Sequence, residues 1–236
     1  KDGSHTKKLL TTGVLKRYAS TSVRDIIDNL DFVNSLEYYK TGRIAKVRNS
    51  IELSILAKLK NLETLSDFIT FDSTDENTIY YRAAGGRYYN LIFNKPTNSS
   101  AEKSFSVESI SRDAIAAILS SNLYFWLYQM YSDNLNVKSS EIMMCPIPEL
   151  TDEVTKELED TFRQFQVDLE KNAVIKKANY NNISEFKEYR ARLSKKYIDQ
   201  IDRILQSAYQ LTDEQTNYLI NFELEFRTDD SPEAES

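Results

Sequence analysis

Few side chains in this sequence can act as nucleophile, proton carrier or metal ligand. There is one His, His5, and one Cys, Cys145. His5 stands near the terminus in a polar context, which disfavours a His-based triad, and one His with one Cys excludes the usual zinc sites. Cys145 lies between Met144 and Pro146 with no His beside it, so it reads as a small buried hydrophobe rather than an activated thiolate. The acidic pair Asp152-Glu153 opens a predicted helix, where the helix dipole accounts for it without catalysis. Gly85-Gly86 is the only glycine pair. It lacks the Lys-Ser or Lys-Thr of a phosphate loop and reads as a hairpin turn. By these tests the chain holds no recognisable catalytic centre, cofactor site or metal site.

What remains is the chemistry of binding. Cations neutralise phosphates, and polar side chains on loops read base edges. Arg43, Lys46 and Arg48 form a short basic run expected to be exposed. Arg82, Arg87 and Tyr88 flank the glycine turn. Asn98, Ser99, Ser100 and Lys103 lie on the polar loop after Pro96, and Asn134, Asn136 and Lys138 on a polar bend. Asn and Ser also serve turns for their own sake, and isolated cations usually face solvent. Of these candidates the Arg82/Arg87 hairpin ranks first for DNA contact. The apolar face Leu119–Trp126 reads as core rather than as a stacking platform for bases.

Charge supports a binding role locally, not globally. The net charge is −6, yet residues 1–100 carry 15 Lys+Arg against 11 Asp+Glu while residues 101–236 carry 15 against 25. The basic excess in the first part favours a polyanionic partner through counterion release. No apolar run is long enough to span a membrane, and a lone Cys fits a reducing, cytoplasmic compartment. The sequence opens at Lys1-Asp2-Gly3 without Met and is expected to be part of a longer protein.

These residues must be positioned by an α+β arrangement. Lys7–Thr12 is β-like, Ser22–Leu30 reads as a short capped helix, Asp31–Tyr39 as a strand, and Ser50–Leu62 as an amphipathic helix. Leu65–Phe71, Thr78–Arg82, Arg87–Phe93 and Phe105–Val107 are aromatic and branched runs expected to form a small mixed sheet. Ser111–Tyr131 reads as one helix. The stretch Ala116–Leu150 carries the only Trp, Trp126, the Cys and all three Met. After Pro148 the pattern is helical: one stripe of Val154, Leu158, Phe162, Phe165 and Leu169, a break at Asn179–Asn182, then a stripe from Ile183 to Ala208. That pattern predicts a long helical hairpin. Thr212–Gln215 is a capping box, and Thr228–Ser236 is an acidic tail expected to be disordered.

Three segments, in order, resemble the C-terminal region of bacterial DNA adenine-N6 methyltransferases of fused restriction–modification type (type IIG and relatives). Ile79-Tyr-Tyr-Arg82, Gly86-Arg87-Tyr88-Tyr89 and Phe93-x-x-Pro96 are similar to the hairpin of their target-recognition domains. Leu119-Ser-Ser-Asn-Leu-Tyr-Phe-Trp126, Tyr131-Ser-Asp133, Leu135-Asn136, Glu141-Ile142 and Pro146-Ile-Pro148 resemble a second run. Ile201-Asp-x-Ile204 with Tyr209-x-Leu211-Thr-Asp-Glu214 resembles the terminal one, Gln210 standing where Gly is usual and Met144-Cys145 where Phe is usual. The resemblance implies four parts: the tail of an upstream methyltransferase domain over 1–39, an α+β target-recognition domain over 40–150, a helical spacer or clamp over 151–227, and the tail. It implies double-stranded DNA as partner and positioning of one adenine for flipping. S-adenosylmethionine would be held by the upstream domain, because this chain has neither the Gly-rich cofactor motif nor an Asn-Pro-Pro-Tyr-like tetrapeptide. The competing expectation is a helical protein–protein interaction module, which would leave an apolar stripe exposed on Thr151–Ala208.

Overall fold

The computed structural model describes residues 8–15, 22–39, 42–71, 74–84, 89–180 and 183–228. In chain order these form β1 (Leu10–Thr11), α1 (Val23–Asp28), β2 (Val33–Asn34), α2 (Ser50–Leu59), β3 (Glu63–Thr64), β4 (Ile69–Thr70), β5 (Thr78–Arg82), β6 (Ile92–Phe93) and β7 (Glu102–Val107). There follow α3 (Arg112–Ser120), α4 (Asn122–Tyr131), α5 (Ser139–Met143), β8 (Pro146–Ile147), α6 (Asp152–Lys171), β9 (Val174–Tyr180), β10 (Ile183–Glu188), α7 (Lys195–Ala208), α8 (Asp213–Ile220) and α9 (Leu224–Thr228). The class is α+β.

The largest sheet has the order β4-β7-β5-β6 and is wholly antiparallel, not mixed. Its register sets Ile79 opposite Phe105 and Tyr81 opposite Lys103. Alternation along the strands therefore gives Ile79, Tyr81, Phe105 and Val107 one common face, and all four are buried. Helices α3 and α6 pack against each other, as do α6 and α7. The stripe Leu158, Phe162, Phe165 and Leu169 of α6 and the stripe Ile198, Ile201 and Leu205 of α7 are consumed in the same core.

Five expectations about these elements change. The helix expected over Ser111–Tyr131 is two helices. Ser121, extended at φ −68° and ψ 158°, ends α3 and caps α4 by accepting from the Tyr124 amide at 3.0 Å. The second expected long helix begins only at Lys195; Val174–Glu188 forms an antiparallel ribbon instead. Ile183 and Phe186 are spaced i, i+3 and so fit a helical stripe, but Val174-Ile175 favour extended backbone. Of the expected break, Asn181 and Asn182 lie outside the described residues. Asp31–Tyr39 contributes only β2 before a 3-10 turn at Leu36–Tyr38, and Leu65–Phe68 is likewise a 3-10 turn before β4. The part of Arg87–Phe93 that pairs is Ile92–Phe93. The acidic tail beyond Thr228 falls outside the described residues, as does His5. The caps at Ser22, Ser111, Thr151 and Thr212 stand where the sequence sets them.

Helix α4 is held at its start and at its middle by buried carboxylates. Asp202 of α7 accepts the first amides of α4, from Asn122 at 2.9 Å and Leu123 at 3.0 Å, and the Asn122 side chain at 2.8 Å. These N–H groups have no partner inside their own helix, and the helix dipole adds to the attraction. Glu52 of α2 accepts the Trp126 indole N–H at 3.1 Å and the Tyr218 hydroxyl of α8 at 2.7 Å, while its other oxygen takes the Arg48 amide. Both carboxylates are 2 % exposed. Removing either would strand several buried donors, a loss of about 3–5 kcal/mol.

Burial pushes the Asp202 carboxyl up from 3.8 to about 6, against the backbone hydrogen bonds that lower it. A carboxyl raised in the folded state contributes stability that is complete below its unfolded pKa and fades as pH rises through the folded one. Urea denaturation of the native chain and D202N should therefore show a pH-dependent difference. The cost of D202N should shrink by about 2 kcal/mol between pH 4 and pH 7. The cost should be the same at both pH values if Asp202 titrates normally.

Candidate nucleic-acid interface

The binding candidates are organised by the short segment that follows β5. Ala83 donates its amide to Ala101 O at 2.8 Å and accepts that of Val137 at 2.8 Å, and Ala84 bridges to Asn136. One sheet end thus ties the polar loop after Pro96 to the bend 132–138. Arg82 folds its Nε back onto Ala84 O at 2.9 Å and braces the junction.

The bend is built from its own polar groups. Ser132 Oγ accepts from the Asn134 amide at 3.1 Å, and Asn134 has φ +60°, a left-handed conformation that Asn tolerates. Lys138 binds Asp133 at 2.5 Å, and its amide donates to Glu141 Oε2 at 2.7 Å, starting α5. The Lys138 hydrogen bond and the Leu135 amide hold the Asp133 carboxyl down at about 2. From the other side, Lys46 Nζ donates to Ser132 O at 2.5 Å, and burial pushes its pKa down. Arg43 donates to Ser140 Oγ at 2.7 Å and to Glu141 Oε1 at 3.2 Å.

The polar loop is similarly closed. Glu102 Oε2 accepts the Thr97 amide at 2.6 Å and Ala101 N binds Ser99 Oγ at 3.3 Å, with Asn98 exposed at φ +60°. Lys103 follows on β7, exposed and without an ion pair among the described residues.

The structure thus brings Arg43, Lys46, Arg82, Asn98, Lys103, Asn134, Asn136 and Lys138 into one neighbourhood around Ala83–Ala84. Arg87, Tyr88 and the glycine turn lie outside the described residues. Arg48 is elsewhere: it donates to Val14 O at 2.7 Å, pairs with Glu223 at 3.7 Å and covers the Phe222 ring. The run Arg43–Arg48 is not the exposed segment its charge suggested, because Ala45 and Val47 are fully buried and pull the chain into the core. One cation was missed: Lys95, just before Pro96, is 56 % exposed and pairs with Glu170 at 3.3 Å. Its place within the polar loop Asn94–Lys103 was the available signal.

Cys145 is fully buried and burial pushes its thiol pKa up, so it packs rather than reacts. Among the described residues no group of three or more His, Cys, Asp or Glu is disposed to hold a metal, and no helix is long and apolar enough to cross a membrane. A recess of about 500 Å³ at the start of α3 is lined by Glu76, Asp113 and Glu159 with Arg112, the wrong sign for a phosphate. Compared with known protein families, with curated proteins and with solved structures, the chain finds no match.

The two ion pairs of the bend should separate on mutation. The Glu141 side chain is 3 % exposed, so R43A leaves a buried carboxylate without its counter-charge, a loss of about 2–4 kcal/mol. The Lys138–Asp133 pair is open to solvent, and K138A should change stability by less than about 1 kcal/mol. Urea unfolding measures both, and equal effects would contradict this division of roles.

Proposed function

We propose that this chain is the sequence-reading part of a bacterial restriction–modification DNA adenine-N6 methyltransferase. It binds duplex DNA along the rim around Ala83–Ala84 and presents one adenine to a catalytic domain outside the chain. That domain would bind S-adenosylmethionine and perform the transfer. The single observation that carries this reading is the gathering at one sheet end of candidates far apart in sequence, from Arg43 to Lys138. Lys103, Asn98, Asn136 and Lys138 are the exposed members and the ones left to meet a ligand. Arg43 and Lys46 act at one remove, by fixing the bend that carries Asn136.

The alternative, a helical docking module, needs an uncovered apolar stripe on α6 and α7. That stripe is buried; Val167 and Leu193 are the large apolar side chains exposed on this stretch outside the ribbon, and they lie on no common stripe.

A phosphate contact adds about 0.9 to the slope of log affinity against log salt. Titration of short duplexes from low to physiological salt should therefore give a flatter slope for K103A by about one contact. N136A should keep the slope and lose discrimination among sequences. Failure of the unaltered chain to bind any duplex at low salt would sink the reading.

A further inference from the structure

None of the described side chains of the ribbon β9–β10 is buried in the core. Two strands of seven and six residues pair only with each other. A lone two-stranded hairpin is marginal in water, since it buries little and still costs the entropy of ordering its residues. Here it even exposes apolar groups, with Ile175 66 % and Phe186 46 % accessible. Among the described residues, the anchor lies at its base. Tyr189, one residue past β10, packs its ring at a tilt against Phe93, with ring centroids 4.8 Å apart, and donates to Glu170 at 3.2 Å.

That anchor places the ribbon beside the rim already described. Glu170 accepts both Lys187 of the ribbon at 2.7 Å and Lys95 of the polar loop at 3.3 Å. From Lys95 the path runs through the loop to Ala101 and Ala83, and so to the bend. The ribbon carries Lys176, Lys177 and Lys187. Lys176 pairs with Glu188, and Lys187 with Glu170, but these are solvent-open pairs worth little, and phosphates can replace the carboxylates. Lys177 and Glu185 stand directly opposite each other, and neither makes an ion pair among the described residues. A cross-strand pair of this kind puts a donor and an acceptor side by side on one face of the ribbon, with Cβ atoms about 5 Å apart. That is the complement of a G·C edge, where guanine offers O6 and N7 and cytosine offers its amino group.

Resting on the DNA reading above, we propose that β9–β10 enters the major groove of the duplex, with Lys176 and Lys187 on phosphates and the Lys177–Glu185 pair against a G·C base pair. The dimensions agree: a two-stranded ribbon fits a groove about 12 Å wide, and seven extended residues reach about 20 Å. The inference gives the protein a second contact element, separated in sequence from the sheet and its loops.

The test is duplex binding across salt, together with protection of guanine N7 from dimethyl sulfate, for the unaltered chain, K176A/K187A and K177A/E185A. These are exposed positions, and an unchanged melting temperature serves as the folding control. K176A/K187A should flatten the salt slope by about two contacts. K177A/E185A should abolish guanine N7 protection and lose about tenfold in preference for G·C-containing over A·T-only duplexes. If the unaltered chain binds but protects no guanine, or if both variants match it in slope and footprint, the ribbon is not a groove element and only this inference falls. Absence of binding by the unaltered chain overturns both readings together.

Discussion

The carboxylate of Asp202 at the start of α4 is the interaction on which the rest of the molecule turns. Helix α4 is buried along its whole length, so its first amides cannot be left to water. An acceptor had to be brought to them, and α7, eighty residues away, supplies it. The same need explains why the chain breaks at Ser121. A continuous helix would hide these amides in its own ladder and leave Asp202 as an uncompensated buried charge. Glu52 repeats the device on the other flank, joining α2, α4 and α8 through Trp126 and Tyr218. Segments that the sequence divides into a sheet part and a helical part therefore share one core.

That rigid centre positions the rim at one remove. The end of α4 delivers Ser132, whose carbonyl receives Lys46 and whose hydroxyl shapes the bend. The bend then adds itself to the sheet through Val137 and Asn136. Magnitudes sort the cations into two kinds. A pair such as Arg43 with Glu141 is protected from water, and its loss is costly, so it works as a brace. A pair such as Lys138 with Asp133, or Lys187 with Glu170, is screened and exchangeable, so its cation remains able to meet a phosphate.

The overall acidity of the chain is compatible with such a site, because an exposed charge acts over roughly 8 Å in physiological salt. What counts is the local sign. Carboxylates line the recess at the start of α3, while Lys95, Lys103, Lys138 and the ribbon lysines lie along the connected edge of sheet, loop and ribbon.

The sequence by itself determined the helix starts at Ser22, Ser111, Thr151 and Thr212, the core stripe of α6, the strand Thr78–Arg82 and the residues with the chemistry to bind. Caps and periodicity are local signals: each is a hydrogen bond or a facing set of side chains within a few residues. Tertiary structure alone decided the break at Ser121, because the group that rewards it is Asp202, across the core. It decided that Val174–Glu188 is a ribbon, since Ile183 and Phe186 carry a helical spacing and the anchor of Tyr189 on Phe93 and Glu170 overrides it. It also separated Arg48 from Arg43 and Lys46. Three cations within six residues look alike in a sequence, and their partners, Glu223, Glu141 and Ser132, are distant in the chain and specified by packing.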